Sequence, residues 1–272
     1  MHAYSGLRAI VSALACGMAL LASPAFALTP QAPGHVSDAE AIRLLRGVYR
    51  EKATLQGDWP ASAATRSEDD IAPTSRTICA DSGAADPGPR RIAVCTSFAD
   101  AGHAQPGEVD LFLLLDPRGK QKQARIGASE RGVQTGGWGT PGDVGFFEVG
   151  PGRIAFALDS AFTNMGWTVS SRSLHHAESD RFESLLSVGT SRDNSGACDP
   201  DEDRTCKRKS VALECTLVAN RSGGGRFYPL DLVVSGRQAG KPVKRRLAIL
   251  YRDGAYQVSA ALLQKQGCDE GG

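Results

Sequence analysis

The sequence lacks long hydrophobic runs and an excess of charge of either sign. Outside the first thirty residues, no apolar run approaches the roughly 20 residues that cross a bilayer, which argues against a membrane span in the mature chain. Thirty-one basic residues face 30 acidic ones, whereas nucleic-acid binding depends on a basic excess that neutralises phosphates. We therefore expect neither a membrane-spanning protein nor one that binds DNA or RNA.

The motifs of several common active sites are also missing. The chain has no CxxC pair, no HExxH and no GxSxG, which argues against the usual zinc centres and the serine-hydrolase elbow. Residues 137–142 match GxGxxG, but Pro141 and the apolar residues that follow indicate a strand, where a dinucleotide loop needs a helix. This glycine-rich loop is either mobile or tightly turned. Trp138 at its centre is either a lid on the core or an exposed contact residue.

Residues 1–27 have the order of a secretory signal peptide. Arg8 precedes an apolar stretch at residues 9–23, and small residues follow at the positions before a cleavage site. One alternative is a membrane anchor, for which the stretch is short. Another is a lipoprotein acylated at Cys16, although the apolar run continues past that cysteine. We expect export to the periplasm or the cell exterior, with a mature chain that begins at Leu28.

The start of the mature chain carries helix signals. Residues 37–40 form a capping box, and apolar residues follow at helical spacing. With Gly57 as the stop, these signals predict a helix from Asp38 to about Leu55 whose apolar face packs on the core. Residues 58–74 are rich in alanine, serine, proline and acids, which indicates a loop or flexible linker.

From Arg76 onward the pattern is that of short strands. Apolar residues alternate with others, as in residues 228–234, and turn-rich segments separate the runs. About ten such strands predict an antiparallel sandwich or a barrel-like sheet, with a propeller-like fold as the alternative. We expect residues 28–75 to hold the single helix and the linker, and residues 76–272 to form a disulfide-bonded β-rich domain. The predicted strands are residues 77–81, 91–98, 109–115, 121–129, 146–149, 153–158, 183–189, 210–219, 228–235, 244–251 and 255–260.

Removal of the signal peptide takes away one of seven cysteines and leaves six, which in an exported protein predicts three disulfides. Cys79–Cys95 is centred on Pro87 in a turn, so these cysteines should face each other across a hairpin. Cys198–Cys206 closes a short polar loop, and Cys215–Cys268 ties the tail to a late strand. Metal binding by the cysteines is the alternative.

An acidic loop lies at residues 193–203, which hold five acids and no base. Asp199, Asp201 and Asp203 have the spacing of the first three ligands of a calcium loop. Arg204, however, occupies the position where such a loop turns at glycine, and no glutamate stands at the twelfth position. The two interpretations are a calcium site and a plain solvated loop.

Residues 207–246 have the opposite charge, with ten bases against two acids. Arg245 and Arg246 form the strongest basic cluster in this segment. The pattern predicts either a basic face for an acidic partner or solvated strand edges that block edge-to-edge pairing. We nominate Trp138, Arg245 and Arg246 as binding residues.

Two function classes fit these observations. The first is a non-catalytic envelope protein that binds another protein or a cell-wall polymer, such as an inhibitor or immunity protein, with calcium as its one candidate cofactor. The second is an exported hydrolase with scattered catalytic residues and His103, His175 or His176 as the base. The adjacent histidines do not predict a metal site, because neighbours on a strand point to opposite faces. A deep pocket that held a histidine beside an acid and a hydroxyl would favour the hydrolase.

Overall fold

Strands dominate the fold. The computed structural model describes residues 35–62, 71–85, 88–117, 123–178, 180–198 and 204–269. Within these residues thirteen strands form two antiparallel sheets, in which each strand pairs with its neighbours in sequence. The predicted mainly β, sandwich-like fold is thus confirmed. The proposed signal peptide, residues 1–27, lies outside the described residues.

The first sheet has five strands in the order β1-β2-β3-β4-β5. They are β1 (Trp59–Pro60), β2 (Pro73–Asp81), β3 (Arg90–Phe98), β4 (Gly107–Leu115) and β5 (Arg125–Thr135). The second sheet has eight strands in the order β13-β12-β11-β10-β9-β8-β7-β6. They are β6 (Val144–Gly150), β7 (Arg153–Asn164), β8 (Trp167–Glu178), β9 (Arg181–Asp193), β10 (Val211–Ala219), β11 (Leu230–Gln238), β12 (Lys241–Arg252) and β13 (Ala255–Gln257).

The N-terminal helix α1 (Asp38–Tyr49) begins where the capping box predicts. The Ser37 hydroxyl accepts from the Glu40 amide, and the Glu40 carboxylate accepts from the Ser37 amide. The predicted end near Leu55 is wrong. Arg50 adopts a left-handed conformation that ends the helix, and the Arg46 side chain donates to the Ala53 carbonyl oxygen. That bond helps to hold the segment after the helix against it, so that Ala53 is buried.

The first sheet is covered on both faces. On one face, α1 contributes buried Leu45 and Tyr49 to a core shared with Ile92 of β3 and Phe112 of β4. On the other face, Leu111 and its neighbours form a core with residues of β7 in the second sheet. Burial on both faces explains why β3 and β4 read as nearly continuous apolar runs.

The second sheet is strongly curled around its own core. Buried residues from β6 to β13 belong to one cluster, and the first and last strands of the sheet meet. The Tyr256 hydroxyl of β13 lies 3.2 Å from the Val149 carbonyl oxygen of β6 and 2.9 Å from the Tyr228 carbonyl oxygen. Leu230 and Ile249 are fully buried in this core.

All three predicted disulfides are present. The Cα–Cα distances are 5.7 Å for Cys79–Cys95, 5.3 Å for Cys198–Cys206 and 6.1 Å for Cys215–Cys268. The prediction that Cys79 and Cys95 lie directly opposite each other is wrong. Cys95 pairs with Thr77, and Cys79 is the extra residue of a bulge between Ile78 and Ala80. Three disulfides are typical of a protein that folds in an oxidising compartment outside the cytoplasm.

Several elements differ from the sequence predictions. The polar strand β8 was not predicted, and β1 lies inside the segment interpreted as linker. Two short helices, α2 (Arg204–Lys207) and α3 (Ala260–Gln266), add to the single predicted helix, and α3 begins where a last strand was expected to end. Buried Leu263 of α3 packs into the core of the second sheet. No helix of the described segments has the length and hydrophobicity to span a membrane.

A buried polar network fastens α1 to the first sheet. Asp110 of β4 accepts hydrogen bonds from the Tyr49 hydroxyl at 2.6 Å, the Arg131 Nε at 3.1 Å and the Gly132 amide at 2.8 Å. Arg76 and Arg131 lie over the Tyr49 ring at 4.8 and 4.9 Å from its centroid. Burial, with the adjacent Asp110 charge, raises the pKa of Tyr49 far above its usual value. The hydroxyl therefore remains a hydrogen-bond donor.

Candidate functional site

An exposed group of aromatic rings stands out on the surface. Trp138 is 66% exposed, and its ring lies edge-on to His103 with centroids 5.0 Å apart. The His103 ring in turn lies 4.8 Å from Phe162, which is 37% exposed. The His103 Nε2 lies 2.6 Å from the Thr163 carbonyl oxygen, which fixes the imidazole between the two other rings. We call Trp138, His103 and Phe162 the aromatic platform.

Trp138 occupies a strained backbone position. Gly137 and Thr140 exchange backbone hydrogen bonds of 3.1 and 3.0 Å around a two-residue turn. Its central residues, Trp138 and Gly139, have φ of +55° and +69°, the signs of a type I′ turn. A bulky residue in the left-handed region costs about 1–2 kcal/mol, so the turn favours glycine or asparagine here. An exposed tryptophan at a costly position points to a role outside folding.

The turn that carries Trp138 is pinned in place. The Phe98 amide donates to the Gly139 carbonyl oxygen, and the Gly139 amide donates to the Gln105 carbonyl oxygen, both at 2.8 Å. A Cβ at Gly139 would come within 2.3 Å of the Phe98 carbonyl oxygen, and one at Gly142 within 1.8 Å of the Asp159 carbonyl oxygen. The glycines thus serve close packing in a tight turn, the second of the two sequence interpretations. Strand β6 follows the loop, as predicted, where a dinucleotide site needs a helix.

Two cavities lie on opposite faces of β7 and β8. Phe162 of the aromatic platform lines a cavity of about 330 Å³, and the Gly136 amide donates to the Ser160 hydroxyl at 3.1 Å on that same face. Asp159 and Arg172 line a second cavity of about 480 Å³, which we call the polar groove. Because Asp159 pairs with Arg172 whereas Phe162 pairs with Val169, the sheet separates the polar groove from the platform.

The wall of the groove is built from paired polar residues on neighbouring strands. Asp159 of β7 faces Arg172 of β8, and the guanidinium donates to both carboxylate oxygens, at 2.7 and 2.6 Å. These bonds to Asp159 raise the pKa of Arg172. Ser170 of β8 faces Ser191 of β9, with 3.0 Å between their hydroxyl oxygens. The charges nearest the groove floor are therefore neutralised in place, and hydroxyls surround them.

His175 belongs to a hydrogen-bonded array between the two sheets. Its Nδ1 lies 2.9 Å from Glu130 Oε2 of β5, and its Nε2 lies 3.1 Å from the Ser173 hydroxyl oxygen. A neutral imidazole that donates from Nδ1 to the carboxylate accepts from the serine at Nε2. This order of serine, histidine and acid is the one used by serine hydrolases.

The surroundings of this array differ from those of a hydrolase. Ser173 lies in the middle of β8, which pairs with β7 on one side and β9 on the other, so the nearby amides are engaged in the sheet. A hydrolase needs free amides or side-chain donors for the oxyanion. His175 is also buried, and neither His175 nor Ser173 lines the two cavities along β7 and β8.

His176 points to the opposite face of β8. Its Nδ1 lies 3.1 Å from the Ile154 carbonyl oxygen, and its ring lies edge-on to Phe227 at 5.7 Å. Burial lowers the pKa of His176, and Arg153 and Arg91 act in the same direction, whereas the Ile154 bond and Glu178 oppose them. The two adjacent histidines therefore do not converge on one ion. Across the described segments, no group of three or more histidine, cysteine, aspartate or glutamate residues is placed to hold a metal.

Acidification is expected to destabilise the protein through His176. The unfolded chain takes up this proton near pH 6.5, whereas the folded chain does so only at lower pH, so stability falls as the pH drops below that value. His176→Asn keeps a donor for the Ile154 carbonyl oxygen but cannot titrate. Urea unfolding at about pH 7.5 and pH 5 should show a smaller loss of stability for the variant than for the wild type. Equal losses would contradict this assignment.

The other nominated residues are placed separately from the platform. Arg245 and Arg246 are adjacent on β12 and contact different groups. Arg245 donates to the Gln266 carbonyl oxygen at 3.3 Å, whereas Arg246 lies 3.7 Å from Asp231 Oδ2 and is well exposed. Alternation along a strand explains this separation. The proposed calcium ligands Asp199, Asp201 and Asp203 lie outside the described residues.

Sequence reasoning found Trp138 but not the residues around it. His103 was considered only as a catalytic base, Phe162 was not singled out, and the groove residues were not recognised.

No family model matches the sequence, and comparisons with curated proteins and with solved structures also find no match.

Proposed function

We propose that this protein is a non-catalytic binding protein of the periplasm or the cell exterior. It holds another envelope protein or a cell-wall polymer at the aromatic platform. The observation that carries this proposal is Trp138, which is 66% exposed on a left-handed turn that a smaller residue would fit better. Strain of this kind clusters at binding and catalytic sites.

The rigidity of the platform supports a role in binding. Trp138 sits on a turn whose amides and carbonyl groups bond to the segment from Phe98 to Gln105, and His103 is anchored to β7. A side chain that is already ordered loses little conformational entropy when a ligand covers it. Tryptophan is also enriched among the residues that dominate binding energy.

Truncation of Trp138 tests the proposal. The mature chain is immobilised and exposed to an envelope protein extract and, separately, to sedimented cell-wall material. We expect Trp138→Ala to weaken capture about thirtyfold, since an interface tryptophan typically contributes 2 kcal/mol or more. Leu250→Ala is the matched control, because Leu250 is an exposed apolar residue of β12, 39% exposed. Equal capture by Trp138→Ala and wild type would overturn the proposal.

A second candidate function is hydrolysis at the Ser173–His175–Glu130 array. The order of hydrogen bonds from serine to histidine to acid favours hydrolysis. The burial of His175 and the position of Ser173 inside the fully paired strand β8 argue against hydrolysis. A fluorophosphonate probe distinguishes the two, because it labels activated serines. Labelling of Ser173 that His175→Ala abolishes would support the hydrolase. An unlabelled protein that still captures its partner would assign the array to the packing of the two sheets.

A further inference from the structure

We propose that a cavity at one end of the second sheet binds a phosphomonoester, which is a phosphate group carried on a small organic molecule. The cavity has a volume of about 380 Å³ and is lined by the segment that follows β9, the segment from α2 to β10, and the β11–β12 hairpin. We call it the basic pocket. It shares no lining residue with the aromatic platform or the polar groove, so a ligand there is independent of the proposed function.

Two bases from separate segments of the chain meet in the basic pocket at Gly240. The Gly240 carbonyl oxygen accepts a hydrogen bond from Nη2 of Arg237 at 2.8 Å. A Cβ built on Gly240 would lie 3.0 Å from both Cγ and Cε of Lys207, so the stem of the lysine crosses this glycine. Lys207 of α2 and Arg237 of β11 therefore line the same cavity.

Neither of these bases has a counter-charge among the residues that the structure describes. Both side chains are exposed, and no described carboxylate lies within ion-pair distance of either one. Other bases of residues 207–246 do pair with carboxylates, namely Arg221, Arg226 and Arg246. Like charges that are held beside one glycine repel each other, so an anion bound between Lys207 and Arg237 would relieve that repulsion.

The charge and the donors of the two bases favour a phosphate over a carboxylate. Arg237 has five N–H donors, one of which serves Gly240, and Lys207 has three. A carboxylate carries a single negative charge, whereas a phosphomonoester carries nearly two at neutral pH and has three strong acceptor oxygens. The phosphate therefore matches the charge of the two bases, and a planar guanidinium can bind two of its oxygens together.

The rest of the lining suits a small organic group attached to the phosphate. A volume of about 380 Å³ falls within the usual range of small-molecule pockets. Val211, Ala212 and the disulfide-bonded Cys198 add apolar surface, and Ser195 and Ser210 add hydroxyls. A phosphomonoester can thus make contacts in this pocket that free phosphate cannot make.

Hydrogen bonds hold the walls of the basic pocket together. Oδ1 of the buried Asn194 accepts from the Val211 amide at 2.8 Å, and its Nδ2 donates to the Lys209 carbonyl oxygen at 3.0 Å. The Ala239 amide at the tip of the β11–β12 hairpin donates to the Ser210 carbonyl oxygen at 2.8 Å. Because these segments are already fixed to one another, a ligand pays little entropy for ordering them.

The experiment measures anion binding to the mature chain by titration calorimetry at constant ionic strength. The probes are inorganic phosphate, glycerophosphate as the phosphomonoester, and acetate. We expect glycerophosphate to bind most tightly and acetate at least tenfold more weakly. Lys207→Gln and Arg237→Gln should each weaken glycerophosphate binding at least tenfold, because each removes charge-assisted hydrogen bonds. Arg208→Gln is the matched control: it removes an adjacent exposed charge that does not line the pocket, and salt screening should limit its effect to about twofold.

Urea unfolding distinguishes a lost ligand site from a damaged fold. Since Lys207 has no counter-charge, Lys207→Gln should unfold at the same urea concentration as the wild type or at a higher one. Glycerophosphate should stabilise the wild type and Arg208→Gln but not Lys207→Gln. The proposal is overturned if no probe binds, if acetate binds as tightly as glycerophosphate, or if Arg208→Gln loses as much affinity as Lys207→Gln. Unfolding of Lys207→Gln at a lower urea concentration would also overturn it, because the lysine would then serve the fold.

Discussion

Replacement of Asp110 by alanine is expected to lower the free energy of unfolding by about 1–3 kcal/mol, the usual cost of leaving a buried donor without its partner. The carboxylate accepts hydrogen bonds from Tyr49, Arg131 and Gly132, and without it the buried Tyr49 hydroxyl and the Gly132 amide lose their partner. Arg131 is about half exposed and can turn to water, so most of the loss comes from the other two groups. Urea unfolding measures the change.

Two variants show that this loss comes from the network. Asp143→Ala removes an exposed aspartate and should change stability by less than about 0.5 kcal/mol. Tyr49→Phe removes only the hydroxyl, and its effect should not add to that of Asp110→Ala, because the two side chains share one hydrogen bond. A loss below about 1 kcal/mol for Asp110→Ala would contradict the description of this network as the attachment of α1.

Removal of the Cys215–Cys268 disulfide is expected to cost about 4 kcal/mol. The bond closes a loop with a sequence separation of 53, and the entropy that a crosslink removes from the unfolded chain grows with loop length. It also holds the tail against β9, where the Gly189 amide donates to Asp269 Oδ1 at 2.6 Å. The double variant Cys215→Ala/Cys268→Ala should therefore unfold at a much lower denaturant concentration.

The Cys198–Cys206 disulfide provides the matched comparison. Its sequence separation is only 8, so the same loop-entropy argument gives about 2.5 kcal/mol. The Cys198→Ala/Cys206→Ala variant should lie between the wild type and the variant without the longer crosslink. If the short-loop variant proved the less stable of the two, loop closure would not be the main contribution of these bonds. Alkylation of the denatured mature wild-type chain should first show no free thiol.

Local signals in the sequence predicted much of the fold. The capping box placed the start of α1 because its two hydrogen bonds join residues three apart. The hairpins and the Cys79–Cys95 and Cys198–Cys206 pairs followed from short-range spacing, and Cys215 and Cys268 were the two cysteines that remained. Strand β8 escaped prediction because few of its residues are apolar: Leu174 is its one buried aliphatic side chain, and His175 is held by polar partners from β5 and β8. Such contacts leave no periodic signal.

The site was predicted only in part, for a similar reason. Trp138 was visible as a large aromatic residue among glycines, but its left-handed conformation and exposure depend on how the loop packs against Phe98 and Gln105. His103 and Phe162 join it from two other segments of the chain. The groove depends on the cross-strand register that sets Asp159 opposite Arg172. Such a register depends on the turn between the strands and on the packing of the sheet, which the residue pattern along one strand does not show.

The most direct test of the central claim measures stability and capture on one variant, Trp138→Asn. Asparagine adopts the left-handed conformation more readily than tryptophan does, so the free energy of unfolding should stay the same or rise by up to about 1 kcal/mol. Capture of the wall or protein partner should fall about thirtyfold, because the exposed ring is gone. A loss of stability of about 3 kcal/mol or more, or capture equal to that of the wild type, would contradict a binding role for Trp138.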